Sequence, residues 1–451
     1  MHLLGETSGK NAIIVTPSAD PDIAVRDAVY SAFAHAGQKC SASSLLVLVS
    51  SAGTSERIAR QLVDATASLR VRLPLSLDSQ MGPVVVPDDE KAVRGLTTLG
   101  SGEHWVLKPR YLGDGLWTPG IRAGVVPGSE FHLTEYFAPV IGVMRVDTLQ
   151  EAIEAVNAVD YGLTSGIQTL DATELAIWLE GVQAGNLYVN RGITGAIVRR
   201  QPFGGWKRSA IGSTTKAGGP SYLLGLGEVE PARGQGGKVE QGTAALDPRV
   251  ANLCDAVSGQ LDAADLAELR RALVADAAAW RTAYGANRDV TGLACERNIL
   301  RYREVDVVVR AGQGTALADI VRVMAAGVRA GGFISLSVAD RLPQPLQNAL
   351  LAAGVQVMVE DQGAWDARLA ELAASGGLGT RVRVIGPREE TSAARWSHAS
   401  RVTGGSPDIA LYMGAVTACP HSELLPFLRE QAVAVTNHRF GTPLDLAEGL
   451  L

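Results

Sequence analysis

The chain has 451 residues, a formal net charge of -6, 46% apolar residues and 20% charged ones. Its length exceeds what one hydrophobic core usually serves and predicts two domains. The acidic balance, with no concentrated basic face, argues against a nucleic-acid partner.

From the N-terminus, Ala12 to Val15 is a short apolar strand, and Ile23, Val25, Val29 and Phe33 sit near helical spacing within a helix predicted from Asp22 to Ala36. Leu45 to Val49 is a continuous apolar run, as expected of a strand buried on both faces of a parallel sheet. Helices are predicted from Thr54 to Ser68, Thr148 to Val156 and Ala172 to Gln183, followed by a strand from Asn186 to Val189. Between Pro231 and Thr243 apolar periodicity stops and glycine dominates, which places a linker at 231–244 between domains at 1–230 and 245–451.

Beyond the linker, a helical stretch from Val250 to Tyr284 precedes a second alternating series. Its strands are predicted at Val305 to Val309, Phe333 to Val338, Val355 to Val359, Val382 to Ile385, Ile409 to Met413 and Ala432 to Thr436, with helices at Ala316 to Arg329, Pro343 to Ala353 and Ala364 to Ala374. Alternation of this kind gives an α/β fold, and here a doubly wound, Rossmann-like second domain. Gly312-Gln313-Gly314 follows its first strand but lacks the third glycine and the acidic residue of a dinucleotide fingerprint, so it reads as a structural turn.

Four widely spaced cysteines, Cys40, Cys254, Cys295 and Cys419, form no CxxC pair, no secreted disulfide framework and no metal-ligand set, which predicts a reduced, cytoplasmic setting. No apolar run approaches the ~20 residues needed to cross a bilayer.

The chemistry concentrates in four segments. Cys40 lies in His35-Ala36-Gly37-Gln38-Lys39-Cys40-Ser41-Ala42, where small and polar neighbours suit a thiolate that can be formed and reached. Glu6 lies in Gly5-Glu6-Thr7-Ser8-Gly9-Lys10-Asn11, and further on come Glu135-Tyr136-Phe137-Ala138-Pro139 and Gln201-Pro202-Phe203-Gly204-Gly205. Taken singly, a cysteine is more often a buried small hydrophobe and a glutamate an exposed carboxylate. Together, a thiolate can add to an aldehyde carbon, hydride can leave towards a neighbouring nicotinamide, and a carboxylate of raised pKa in a partly dry site can activate water against the resulting thioester.

These segments, in this order, resemble the catalytic half of the aldehyde dehydrogenase superfamily. The resemblance implies that Cys40 is the nucleophile and Glu6 the water-activating base, that Glu135 holds the nicotinamide ribose of NAD, and that Phe137 borders its ring. Asn186 to Arg191, Thr194-Gly195-Ala196 and Lys216 to Pro220 are similar to the pyrroline-5-carboxylate (glutamate-semialdehyde) dehydrogenases, above all those at the C-terminal end of proline utilization A proteins. That likeness implies a substrate α-carboxylate anchored by Ser41 and the backbone of Gly195 and Ala196. It also implies oxidation of L-glutamate 5-semialdehyde to glutamate in proline breakdown, homo-oligomers, proline dehydrogenase upstream or as a separate protein, and a non-catalytic second domain of aldehyde-dehydrogenase-like fold.

The family places its NAD-binding domain, an oxyanion-binding asparagine and an adenosine-ribose lysine upstream of the glutamate motif. The sequence starts at that motif, so weak or absent dehydrogenase activity is expected of these residues alone; loss of one oxyanion donor costs ~10²- to 10³-fold. Ser8 and Ala138 stand where the family has glycine. Two readings compete with the oxidative enzyme. One is a non-catalytic scaffold that keeps the motifs by descent. The other is a reductase acting on an activated acyl group, against which Glu6 argues because that reaction needs no water-activating base.

Overall fold

A computed structural model describes residues 3–213, 215–227, 229–230, 245–289, 291–375 and 379–451. The glycine-rich linker expected at 231–244 lies outside them. The chain forms two compact units. One consists of Glu6–Ala210, Asp289–Leu300 and Gln431–Leu451; the other is built chiefly from Ile211–Arg288 and Arg301–Glu430. The units are therefore not the two contiguous stretches predicted from composition.

The first unit is organised by a mainly parallel sheet. Strand Asn11–Val15 lies between Ser43–Val49 and Thr164–Gln168; Val140–Val146 and Gly120–Val125 continue the sheet on one side, and Asn186–Val189 on the other. All of these pairs are parallel, and every residue of Asn11–Val15 is buried, as a strand covered on both faces requires. The strand predicted at Ala432 to Thr436 does not complete the second domain. Its residues pair in parallel with Asn186–Val189, Ala432 opposite Asn186 and Val435 opposite Val189. A short apolar strand such as Asn186–Val189 would otherwise present unpaired N–H and C=O groups, and the C-terminal segment satisfies them.

The first helix spans Pro21–Phe33 and starts cleanly, with Asp20 accepting from the N–H groups of Asp22 and Ile23 and proline in the first turn. It stops three residues short of the predicted Ala36. His35, Ala36 and Gly37 have φ of 59°, 55° and 69°, a left-handed run that no right-handed helix can continue. Helical spacing of apolar residues carries no information about such a turn.

In the second unit, five parallel strands stand in the order Gln356–Val359, Ile334–Val338, Val307–Ala311, Thr380–Ile385, Ile409–Tyr412. In chain order this is 3-2-1-4-5, a doubly wound arrangement whose order reverses between Val307–Ala311 and Thr380–Ile385. Helix Ala263–Ala279 carries Asp276, which Arg322 of helix Leu317–Ala330 meets with two hydrogen bonds of 2.6 and 3.0 Å. Both side chains are about 95% buried, and burial raises the Asp276 carboxyl to about 6 against the pull of Arg322.

Replacing Arg322 by Met leaves that carboxylate buried and unpaired, which costs about 3–5 kcal/mol. Thermal unfolding should show a marked loss for Arg322→Met, and the double change Asp276→Leu/Arg322→Met should recover most of it.

Candidate active site

The segments just before three parallel strands carry the predicted chemistry. Glu6 precedes Asn11–Val15, Cys40 and Ser41 precede Ser43–Val49, and Glu135 and Phe137 precede Val140–Val146. Because these strands are parallel neighbours, all five residues gather at the amino-terminal edge of one sheet.

The approach to Cys40 is tightly constrained. A Cβ at Gly37 would lie 2.4 Å from the Ala138 carbonyl oxygen and one at Gly9 2.5 Å from that of Cys40, so glycine is required at both places. His35 and Ala36 accept left-handed backbone without being glycine, each at roughly 1–2 kcal/mol. Gln38 then ties the loop to its surroundings. Its amide donates to the Phe137 carbonyl at 3.1 Å and accepts the Val85 N–H at 2.8 Å. Phe137, with φ of 54°, is 37% exposed, leaving ring surface for a flat ligand.

The turn Lys39–Ala42 is closed by Ala42 N–H donating to the Lys39 carbonyl at 2.9 Å, with Cys40 and Ser41 at its centre. Cys40 is half-buried and Ser41 buried. Burial pushes the Cys40 thiol up, and the charges of Glu135 and Glu6 push the same way, while the N–H groups of Ser41 and Cys40 favour the thiolate. These surroundings thus favour the thiol over the ready thiolate expected from its small, polar neighbours.

Glu135 is lifted above the usual carboxylate range by burial, against hydrogen bonds from the Gly9 N–H, at 3.0 Å, and the Ser8 hydroxyl. Glu6 is exposed and accepts the Gly205 N–H at 2.9 Å, which differs from the partly dry setting expected for it. The Gln201 to Gly205 segment meets the sheet edge through Asn186, whose amide donates to the Pro202 carbonyl at 3.0 Å and accepts the Gly204 N–H at 3.1 Å.

Gly195 and Ala196 lie on a further loop. They follow the carboxyl end of Asn186–Val189, on a loop that returns past Gly166 through Ile193. Contacts that hold this loop run to Ser31, which accepts the Ile193 N–H at 3.0 Å, and to Gln201, which accepts the Ile197 N–H at 2.8 Å. Gly195 has φ of 79° and is exposed.

Two residues of the Glu6 segment, beside the site, have no role in the motif-based reading. Lys10 is buried, with its Nζ 4.2 Å from the centroid of the Phe131 ring. Burial lowers it to about 7 against the attraction of Glu135, with Arg122 lowering it further and Glu103 opposing. Asn11 is 1% exposed and bonds the carbonyls of both Cys40 and Ala42. A polar residue opening the fully apolar strand Ala12 to Val15 was the available signal.

Two measurements follow from this geometry. Iodoacetamide alkylation of Cys40 should rise through an inflection above the ordinary thiol value near ~8.5, because its folded pKa is raised. Ala36→Gly should stabilise the protein by up to ~1 kcal/mol by relieving the left-handed strain, whereas Gly37→Ala should lower the melting temperature and slow Cys40 alkylation.

The profile of the aldehyde dehydrogenase family matches residues 2–226. A 1-pyrroline-5-carboxylate dehydrogenase of Bacillus subtilis (strain 168) is 35% identical over 226 residues, 49% of this chain and 43% of that protein. One from Bacillus cereus (strain B4264) is 35% identical over 228 residues, with the same coverage. The chain thus spans less than half the length of these curated relatives. Among solved structures, proline utilization A from Corynebacterium freiburgense is similar over 97% of this chain and 40% of its own, at 40% identity and a TM-score of 0.76. Through residues 2–226, which carry every element of the site, the chain belongs to the aldehyde dehydrogenase family.

Proposed function

We propose that the chain carries the nucleophile half of an NAD-dependent L-glutamate 5-semialdehyde dehydrogenase acting in proline breakdown. The observation that carries this reading is the convergence of the segments bearing Cys40, Glu6 and Glu135 at one edge of a parallel sheet. The named pyrroline-5-carboxylate dehydrogenases and the proline utilization A likeness support the substrate class.

In this reading, the Cys40 sulfur adds to the aldehyde carbon after its thiol proton is lost to a neighbouring base. The carbonyl oxygen then carries the negative charge, and the backbone N–H groups of the Lys39–Ala42 turn are the nearby donors for it. Glu6, exposed and held by the Gly205 N–H, takes a proton from water that attacks the acyl group on sulfur. Ser41 and the Gly195-Ala196 backbone receive the α-carboxylate, since a hydroxyl and free N–H groups bind it without bulk.

NAD fits the residues present on the nicotinamide side. Phe137 offers exposed ring surface, and the partly buried Glu135 offers a carboxylate to ribose hydroxyls. When bound, NAD supplies the hydride acceptor.

The second unit is read as non-catalytic. A cavity of about 550 Å³ lies at the carboxyl ends of its strands, lined by Asp265, Glu268, Asp319, Glu389 and Glu390 alongside Arg322, Arg388 and Arg395. Arg388 already meets Asp319 and Asp265, so a phosphate there would face more carboxylates than unpaired cations. A homo-oligomer in the cytoplasm, with proline dehydrogenase upstream or separate, completes the proposal. No helix among the described residues is long and apolar enough to cross a membrane.

The test is protection of Cys40. Added L-glutamate 5-semialdehyde should slow alkylation of Cys40 by iodoacetamide and leave the exposed Cys295 unaffected; equal rates with and without the aldehyde would overturn the assignment. In the natural protein that holds this chain, Cys40→Ala should abolish turnover. Glu6→Gln should yield one burst of NADH and then stall, and steady turnover in that variant would remove Glu6 from its role.

A further inference from the structure

The nucleophile turn is held from beneath by Asn11, a residue of the Glu6 segment to which the family resemblance assigns no role. Asn11 Nδ2 donates to the Cys40 carbonyl at 2.7 Å and to the Ala42 carbonyl at 2.9 Å, while its Oδ1 accepts the Thr164 N–H at 3.0 Å. The opposite amide orientation would set an oxygen against two carbonyls and an NH₂ against an N–H, so the network fixes which way the group points. The sheet register shifts between Asn11 and Ala12, where Asn11 stands opposite Ser43 but Ala12 opposite Leu45. Such a bulge re-aims a side chain relative to strict alternation, and here it accompanies an asparagine that spans both carbonyls.

A planar trans peptide points its C=O and N–H in opposite directions. Drawing the Cys40 oxygen down to Asn11 therefore turns the Ser41 N–H away from Asn11. The Ser41 and Cys40 N–H groups are the influences that favour the thiolate, against burial, Glu135 and Glu6. Gly9 leaves room for this contact, since a Cβ there would meet the Cys40 oxygen at 2.5 Å and the Asn11 carboxamide at 2.8–2.9 Å.

We propose that Asn11 is a positioning residue for the nucleophile: its buried carboxamide clasps the Cys40 and Ala42 carbonyls and thereby orients the Ser41 N–H towards the Cys40 sulfur. The proposal rests on the reading of Cys40 as the nucleophile. Asn11 touches neither substrate nor cofactor; it acts through the peptide between Cys40 and Ser41.

The experiment follows iodoacetamide alkylation of Cys40 against pH by mass spectrometry in the full chain, with Cys295 as internal reference and thermal melting as a check of folding. Asn11→Leu is neutral and close in size but donates nothing. It should move the Cys40 inflection up by about half a pH unit, a roughly threefold slower reaction below the inflection, with Cys295 unchanged. A folded Asn11→Leu whose Cys40 profile equals that of the parent would overturn the proposal. Should Asn11→Leu fail to melt cooperatively, Gly9→Ala decides instead, because it displaces the same carbonyl without removing a hydrogen-bonding side chain. The same upward shift supports the proposal, and an unchanged profile overturns it. If the parent Cys40 resists alkylation at every pH, the nucleophile reading itself fails, which the parent measurement alone reveals.

Discussion

The site depends on three parallel strands beginning at the same edge. The segments entering Asn11–Val15, Ser43–Val49 and Val140–Val146 must lie side by side because the strands do. In open α/β sheets ligands usually sit beyond the carboxyl ends of strands, yet the candidate chemistry here occupies the amino ends. At that end each chain arrives as a loop with free backbone groups, and those groups are spent on one another. The Gly9 N–H goes to Glu135, the Asn11 amide to Cys40 and Ala42, and the Gln38 amide to Phe137. The close approaches at Gly9 and Gly37 are the steric side of the same convergence.

Crowding also sets the electrostatics. A half-buried thiol beside two carboxylates resists ionisation, and the same burial lifts Glu135 and lowers Lys10. Each shift is in the direction that reduces charge, as desolvation dictates. Lys10, at about 7, can lie near neutrality beside Arg122, whose guanidinium is paired with Glu103 at 2.9 Å and lies 4.1 Å from the same Phe131 ring. The sheet edge is therefore a low-charge surface, and the groups that most favour anionic sulfur are backbone N–H dipoles rather than a neighbouring cation. That is a reason for the exact setting of one peptide plane to matter more here than in a site where a histidinium partners the thiolate.

Much of this was legible in the sequence, for identifiable reasons. Strands buried on both faces write themselves as unbroken apolar runs, which is why Ala12 to Val15, Leu45 to Val49 and Asn186 to Val189 were readable. The motifs around Glu6, Cys40, Glu135 and Phe137 were readable because each concentrates unusual residue types in a few positions. What periodicity could not supply was strand pairing. Ala432 to Thr436 is a recognisable strand, but nothing in its side chains says that Asn186–Val189 is its partner. The end of the first helix was equally hidden, because left-handed backbone at His35 and Ala36, beside the tight packing of Gly37 on Ala138, leaves no mark in apolar periodicity. Helix Ser392–Thr403 passed unnoticed because its apolar residues are few and only Arg395 and Ala399 are buried in it.

The second unit combines a doubly wound topology with charged groups that pair among themselves. Its strand order reverses between Val307–Ala311 and Thr380–Ile385, and the Gly312–Gly314 turn sits at that reversal, which is where a doubly wound sheet would bind a dinucleotide. Phosphate binding there requires backbone N–H groups left free and cations left unpaired. Three donors around this crevice are already engaged. The Gly314 N–H is directed at the Asp340 carboxylate at 3.5 Å, Arg388 is shared between Asp265 and Asp319, and Arg395 donates to the Met413 and Glu390 carbonyls. The donors that would meet a diphosphate are matched by the unit's own carboxylates and carbonyls, so that an entering phosphate would have to displace them and pay their desolvation as well as its own. The fold keeps the geometry of a nucleotide crevice while its side chains close the electrostatic circuit internally.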